Sequence, residues 1–265
     1  MGRLLRFEFR KLFRQPSFYV CLGVTALLAF LSVYALYSMS QVVMEDFSSV
    51  ADLSPSELAM LAGFTQASGR GQLVTALSSD NVTLLLGIFT ALFICSDYNM
   101  KTAKNIIGRG YSRTGWLSAK LAGAGTACLL FCAAAMAVSY IAGTAFWKAG
   151  EVNSRDITLL LVQVLIMLGY TALFVFWSVL LRSSGGAIAL NLIVPLLLGL
   201  LLTILDYLIF KDGDTMSKYW LARAMTTASD ITVKSKDLWR AGLLGAVYTA
   251  VFTGLSYLVV SKRDV

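Results

Sequence analysis

Six apolar runs alternate with polar segments along the chain, at residues 18–38, 81–96, 117–146, 157–181, 187–210 and 241–260. The 21 residues of the first run would make a helix about 31 Å long, which is enough to cross a hydrocarbon core of about 30 Å. The second run is the shortest, so it must either borrow residues 73–77 or bury itself among its neighbours. The pattern predicts an all-α polytopic membrane protein with six transmembrane helices in one domain over residues 1–265.

Composition agrees with this fold class. The chain is 57% hydrophobic and 14% charged, with a mean hydropathy of +0.72, whereas a soluble domain carries about a quarter charged residues. Runs of this length, with only three prolines, favour helices over the alternating strands of an outer-membrane barrel. Because the chain has no histidine, a histidine-ligated haem or zinc site is excluded, and we expect this chain itself to bind no metal or cofactor.

Lys and Arg outside the spans set the expected orientation. With both termini in the cytoplasm, the inner side holds thirteen bases and three acids, and the outer side nine bases and eleven acids. The asymmetry predicts an N-in, C-in topology. The loop at residues 97–116 is then cytoplasmic, and the segments at 39–80 and 211–240 are outside.

Residues 1–16 segregate on a helical wheel. One stripe is basic and the other apolar; the basic stripe holds Arg3, Arg6, Arg10 and Arg14, and the apolar stripe holds Leu5, Phe9, Leu12 and Phe13. This pattern predicts an amphipathic helix in the cytoplasmic membrane interface, ended by Pro16. A positive anchor that only sets topology is the alternative, but it does not explain the segregation.

The loop at residues 97–116 is more structured than a topology signal needs. A helix at 98–107 would place Met100, Ala103 and Ile107 on one side, and Asp97 would stand four residues before Lys101. Glycines at 108 and 110 then allow a sharp reversal, and a serine at 112 is placed to cap the next helix. We expect a compact cytoplasmic knob.

This arrangement resembles the coupling loop of type-2 ATP-binding-cassette (ABC) exporter permeases, and the order of six spans and an N-terminal helix resembles the whole permease. The residues that carry the resemblance or the docking it implies are Asp97, Lys101, Thr102, Lys104, Asn105, Gly108, Gly110, Ser112 and Arg113. The chain departs from the family at Asp97, where Glu is usual, and at Lys101, where Gly often precedes the Thr.

The resemblance implies partners. Two copies of a nucleotide-binding ATPase subunit would bind the loops and hold ATP and Mg²⁺, since this chain lacks the G-x-x-x-x-G-K-[ST] sequence that holds phosphates. A second permease chain, identical or homologous, would complete the exporter in the cytoplasmic membrane of a prokaryote, with no role for nucleic acid. Amphipathic or antimicrobial peptides, or similarly lipophilic molecules, are the expected cargo.

Polar residues within the spans are candidates for the substrate path. They are Gln163, Tyr170, Asn191 and Asp206, although hydrogen bonding between helices is an alternative for the first three, and Asp206 is placed to reach water near a span end. The third span is rich in small residues, which predicts a central position. Outside the spans, the pattern predicts a short capped helix at residues 54–61 and a helix with interfacial aromatics at residues 216–223, and a solvated connector is the alternative for both.

Two other functions remain open at this stage. The chain would serve as a nontransporting immunity or scaffold protein if it bound a toxin or partner in the bilayer without moving it. A membrane-embedded enzyme would need paired intramembrane carboxylates or a nucleophile with a base, and the spans contain one acid near an end and no histidine.

Overall fold

The computed structural model describes residues 2–47, 68–210 and 215–262. In these ranges the chain is helical, with α1 Gly2–Arg14, α2 Pro16–Phe47, α3 Gly69–Thr75, α4 Asp80–Asn99, α5 Thr102–Gly108, α6 Arg113–Phe146, α7 Ser154–Leu181, α8 Ser184–Leu205, α9 Leu221–Ala228 and α10 Ser235–Lys262. A π-helical stretch at Asp206–Phe210 continues α8, and a 3-10 turn at Ser217–Tyr219 precedes α9. The predicted all-α polytopic class is confirmed.

Six of these helices are long and apolar enough to cross a membrane, namely α2, α4, α6, α7, α8 with its extension, and α10. Their limits differ from the predicted ones because polar end turns extend the helices beyond the apolar runs. The last span begins at Ser235 rather than at 241, and the loop between α4 and α6 shortens to residues 100–112. The predicted helix at residues 54–61 lies outside the described residues.

The third span, α6, lies at the centre of the bundle, as predicted. It contacts α1, α2, α3, α4, α5, α7 and α10. Small residues permit this approach: a Cβ on Gly123 would lie 3.0 Å from the Phe93 ring of α4. The short second span, α4, is largely buried among its neighbours. Burial, which was one of the two predicted alternatives, is therefore how the fold accommodates this short span.

Side-chain contacts define two ends of the bundle, which we call the loop end and the far end. At the loop end, α1 and α5 pack against the adjoining ends of α4 and α6, and Ser118 lies 2.8 Å from the Tyr257 hydroxyl near the end of α10. At the far end, α3, residues 147–153 and α9 cover the helices, and Arg70 donates two hydrogen bonds to Asp156 at 2.8 and 3.0 Å. Both described chain ends therefore lie at the loop end.

Candidate functional site

The loop between α4 and α6 begins with a broken helix rather than with a continuous one. The structure contradicts the predicted helix at residues 98–107, because α4 continues to Asn99 and α5 starts at Thr102. Lys101 separates them with a left-handed backbone (φ 54°), a conformation that costs about 1 kcal/mol or more in a residue with a Cβ. Ala103 is buried, but Met100 is 73% exposed, so the predicted apolar side is also wrong in part.

The second half of the loop follows the predicted chemistry more closely. Gly110 has φ 88°, as a sharp reversal requires, and the Ser112 hydroxyl accepts a hydrogen bond of 3.1 Å from the Gly115 amide at the start of α6. Gly108, in contrast, is an ordinary helical residue of α5 and does not take part in the reversal. Gly110 and the Ser112 cap therefore turn the chain so that α6 runs back into the bundle.

Four charged side chains form the centre of this end of the molecule: Glu8, Lys11, Asp97 and Lys120, which we call the buried charge cluster. The Lys120 ammonium group lies 2.7 Å from Glu8 Oε2 and 2.7 Å from Asp97 Oδ2, and Lys11 pairs with Asp97 Oδ1. The side chains of Glu8, Asp97 and Lys120 are 0% exposed, and that of Lys11 is 21% exposed. Two acids and two bases thus balance inside the protein.

Neighbouring groups complete the cluster. The Trp116 indole N–H donates to Asp97 Oδ2 at 3.1 Å, the Lys11 ammonium donates to Ser96 Oγ at 2.9 Å, and the Lys120 ammonium lies 4.3 Å from the centre of the Phe93 ring. Asp97 therefore does not belong to the exposed loop, and the expected Asp97–Lys101 pairing is replaced by pairs with Lys11 and Lys120. The reason is that Asp97 sits on the inward face of the last turns of α4.

Burial sets the protonation behaviour of the two cluster members on α1. Burial raises the pKa of the Glu8 carboxyl above its ordinary value, and the nearby Lys120 charge opposes that shift. Burial also lowers the pKa of the Lys11 ammonium; the like charge of Lys120 adds to the shift, and Asp97 opposes it. For both groups burial has the largest effect, and the oppositely charged partners offset only part of it.

Helix α1 lies against the protein along one line of its surface. The buried line is Leu4, Glu8 and Leu12, and it packs on α6. Of the predicted apolar stripe, Leu12 belongs to this buried line, Leu5 and Phe9 are half-buried, and Phe13 is 45% exposed. The predicted basic stripe, Arg3, Arg6, Arg10 and Arg14, is exposed.

Shallow hollows surround the loop. One of about 340 Å³ lies between α1 and α5, with Arg3 and Phe7 on one wall and Asn105 and Arg109 on the other. A second, of about 360 Å³, lies beside Lys101 and Lys104. Of the coupling-loop residues named from sequence, Asp97 is buried, Thr102 and Arg113 are half-buried, and the exposed ones are Lys101, Lys104, Asn105, Gly108, Gly110 and Ser112. The exposed set includes two lysines and no acid.

The four candidate path residues are spread through the bundle, and three make hydrogen bonds that hold the fold. Gln163 Nε2 donates to the main-chain oxygens of Val74 at 2.7 Å and Ala228 at 3.0 Å, and Asn191 Nδ2 donates to that of Gly87 at 3.0 Å. These two side chains therefore tie helices together, which is the alternative that the sequence left open.

Asp206 is fully buried and does not reach water as expected. Its two carboxylate oxygens accept hydrogen bonds from the main-chain amides of Met216 at 2.6 Å and Ser217 at 2.7 Å. It thereby fastens the segment before α9 to the end of α8. Tyr170, the fourth candidate, lines a cavity at the far end.

Comparison with known proteins gives a family without a function. The model of a family described as "Protein of unknown function (DUF2705)" matches residues 26–265. The chain belongs to this family. No curated protein matches this DUF2705 chain. Function in this DUF2705 member is therefore argued from its own geometry.

Sequence reasoning missed half of the buried charge cluster. Glu8 and Lys11 were predicted only as charges on the cytoplasmic side. One signal was present: Glu8 is the only acid among the five bases of the N-terminal helix, and it stands four residues from both Leu4 and Leu12 on what proves to be the buried line. An acid on an apolar helical line predicts a basic partner on another element.

Proposed function

We propose that the chain is the transmembrane permease subunit of an ATP-driven ABC exporter in the cytoplasmic membrane of a prokaryote. A separate ATPase subunit, present in two copies, would bind ATP and Mg²⁺ and dock on α5 and the turn that follows it. A second permease chain, identical or homologous, would complete the transporter. The cargo would be an amphipathic or hydrophobic molecule, with a peptide toxin or antimicrobial peptide favoured.

The observation that carries the proposal is the buried charge cluster beneath the exposed loop. Asp97 lies in the last turn of the second span, Lys120 lies about two turns inside the third span, and Glu8 and Lys11 belong to α1. Helix α5 contacts α4 and α6, and the ion pairs join those two spans to each other and to α1, so a force on α5 reaches all three helices. Such a connection suits a rigid-body movement driven by nucleotide binding in a partner.

The basic charge of the loop supports docking into an acidic groove on the partner ATPase. No acidic residue occurs between positions 98 and 119, whereas Lys101, Lys104, Arg109 and Arg113 fall in this stretch. Lys104 and Arg109 are exposed on α5 and at its end. Complementary charge of this kind mainly raises the association rate and fixes the orientation of docking.

Two features weigh against the enzyme alternative. The carboxylates that the structure brings near each other, Glu8 and Asp97, both contact the Lys120 ammonium, so they neutralise a base instead of facing an open position. The four intramembrane polar candidates are likewise dispersed, with Gln163 and Asn191 occupied by main-chain oxygens. Copurification of an ATPase distinguishes the export function from the immunity or scaffold alternative.

The test is copurification of an ATPase with the tagged chain from its native host, followed by an ATP-turnover assay. Lys104→Glu combined with Arg109→Glu reverses two charges on the docking surface, and Lys234→Glu combined with Lys236→Glu makes the same change at exposed far-end positions. We expect the loop variant to lose the ATPase and the far-end variant to keep it. Retention of a coupled ATPase by the loop variant would refute docking, and a wild-type chain that brings down no nucleotide-binding subunit would favour the scaffold alternative.

A further inference from the structure

A cavity at the far end lies between the start of α4, the middle of α7, the last turns of α8 and α9. Its volume is about 340 Å³, and an adjoining hollow of about 160 Å³ shares Asp80, Thr83 and Tyr170 with it. Together these spaces fall within the size range of small-molecule sites. Aromatic and aliphatic surfaces from Tyr170, Trp220 and Met225 face hydroxyl groups from Thr83 and Ser217.

One wall carries a polar group with an unused hydrogen bond. Trp220 is 5% exposed, and its indole N–H has no hydrogen-bond partner within the described residues. A buried indole N–H normally finds an acceptor, because leaving it unpaired costs free energy. The indole nitrogen borders Gly199, where a Cβ would lie 3.3 Å from it, and Gly199 itself lines the cavity. This nitrogen has less than 1 Å² of accessible surface, so a ligand acceptor reaches it when the wall between Gly199 and Trp220 opens.

One carboxylate stands at the mouth of the cavity. Asp80 is exposed in the first turn of α4 and has no ion-pair partner in the described part of the chain. The rings of Tyr170 and Trp220 lie deeper and contact each other edge to face, with centroids 6.5 Å apart. The carboxylate attracts an organic cation by its charge, and the two aromatic rings attract the cation by cation–π interaction. Arg223 also lines the cavity and is engaged in an interaction of its own.

We propose that this cavity binds an amphipathic organic cation that also carries a carbonyl group, such as a basic residue of a peptide. The cation pairs with Asp80, the apolar body packs on Tyr170 and Trp220, and the carbonyl oxygen accepts the Trp220 indole N–H. The proposal rests on the export function for its biological meaning, since it would be the far-end cargo site of the same permease. The binding reaction itself needs no ATPase.

The probe pair is Nα-benzoyl-L-argininamide and its citrulline analogue, which replaces the guanidinium group with a neutral ureido group of nearly the same shape. Binding is measured by titration calorimetry on the full chain in phosphatidylcholine nanodiscs, with empty nanodiscs subtracted. We expect the arginine compound to bind about tenfold more tightly than the citrulline compound. Asp80→Asn should remove that difference, whereas Glu151→Gln, a matched change at another exposed far-end acid, should leave it intact.

Trp220→Phe keeps the aromatic surface and removes the N–H, so it should weaken both compounds about fivefold. Equal affinity of the two compounds, no binding beyond empty nanodiscs, or an unchanged preference in Asp80→Asn would each overturn the proposal. The two proposals fail separately: a wild-type chain that copurifies with no ATPase would refute the export function while cation binding still stood, and absent cation binding would leave ATPase docking untouched.

Discussion

Replacing Lys120 with methionine removes the one ammonium group that contacts both Glu8 and Asp97, at 2.7 Å each, in a fully buried position. Lys11 pairs with Asp97, so Glu8 loses the only ion-pair partner that the described structure gives it. Removing one partner of a buried ion pair costs about 3–5 kcal/mol, because the other charge remains buried and unpaired. The folding equilibrium should therefore fall roughly 100- to 5,000-fold.

The assay is equilibrium unfolding in mixed micelles, followed by tryptophan fluorescence, and Lys236→Met at an exposed position is the matched control. Glu8→Gln combined with Lys120→Met removes both members of the pair, so it should cost at least about 1 kcal/mol less than the sum of the single changes. A loss below about 1 kcal/mol for Lys120→Met, or strictly additive single changes, would refute the view that these charges are coupled.

Three further predictions use contacts elsewhere in the fold. Gly110→Ala, at φ 88° in open space, should destabilise the loop by about 1 kcal/mol, and Gly108→Ala, helical and equally open, should be neutral or stabilising; unfolding and ATPase coupling are measured in both. Gly245→Ala places a Cβ 2.9 Å from the backbone of α7 and should cost about 1–3 kcal/mol in the same unfolding assay, whereas Gly254→Ala meets nothing within 4 Å and should cost far less. Gln163→Leu leaves two buried main-chain oxygens without their donor and should cost about 1–3 kcal/mol; a stability equal to that of the wild type would contradict its role as a tie between segments.

The helical class and the six spans were accessible from sequence because a membrane-spanning helix leaves a long apolar run that requires no knowledge of its neighbours. The central position of the third span followed from its small residues for a similar reason. Local chemistry at the loop was also readable: a glycine adopts the positive φ at position 110, and a serine caps α6 at position 112.

The buried charge cluster was not accessible because its members are remote in sequence. Lys11 and Asp97 are separated by 86 positions, and each looks like an ordinary charge at the edge of an apolar run. The line along which α1 packs likewise depends on α6, and a helical wheel of α1 alone does not show that Glu8 is buried there. Pairing between distant charges is a property of tertiary structure, and hydropathy carries no record of it.

Site-specific photo-crosslinking in the native host tests the central claim most directly. A photoreactive phenylalanine analogue replaces Asn105 on the exposed face of α5, or Lys236 at the far end as the matched control, and adducts are identified by mass spectrometry. The proposed function predicts that the Asn105 position alone forms an adduct with a protein that carries a nucleotide-binding G-x-x-x-x-G-K-[ST] sequence. The proposed function would be contradicted if the Asn105 variant formed no adduct with such a protein. It would also be contradicted if both positions formed an adduct with the same ATPase.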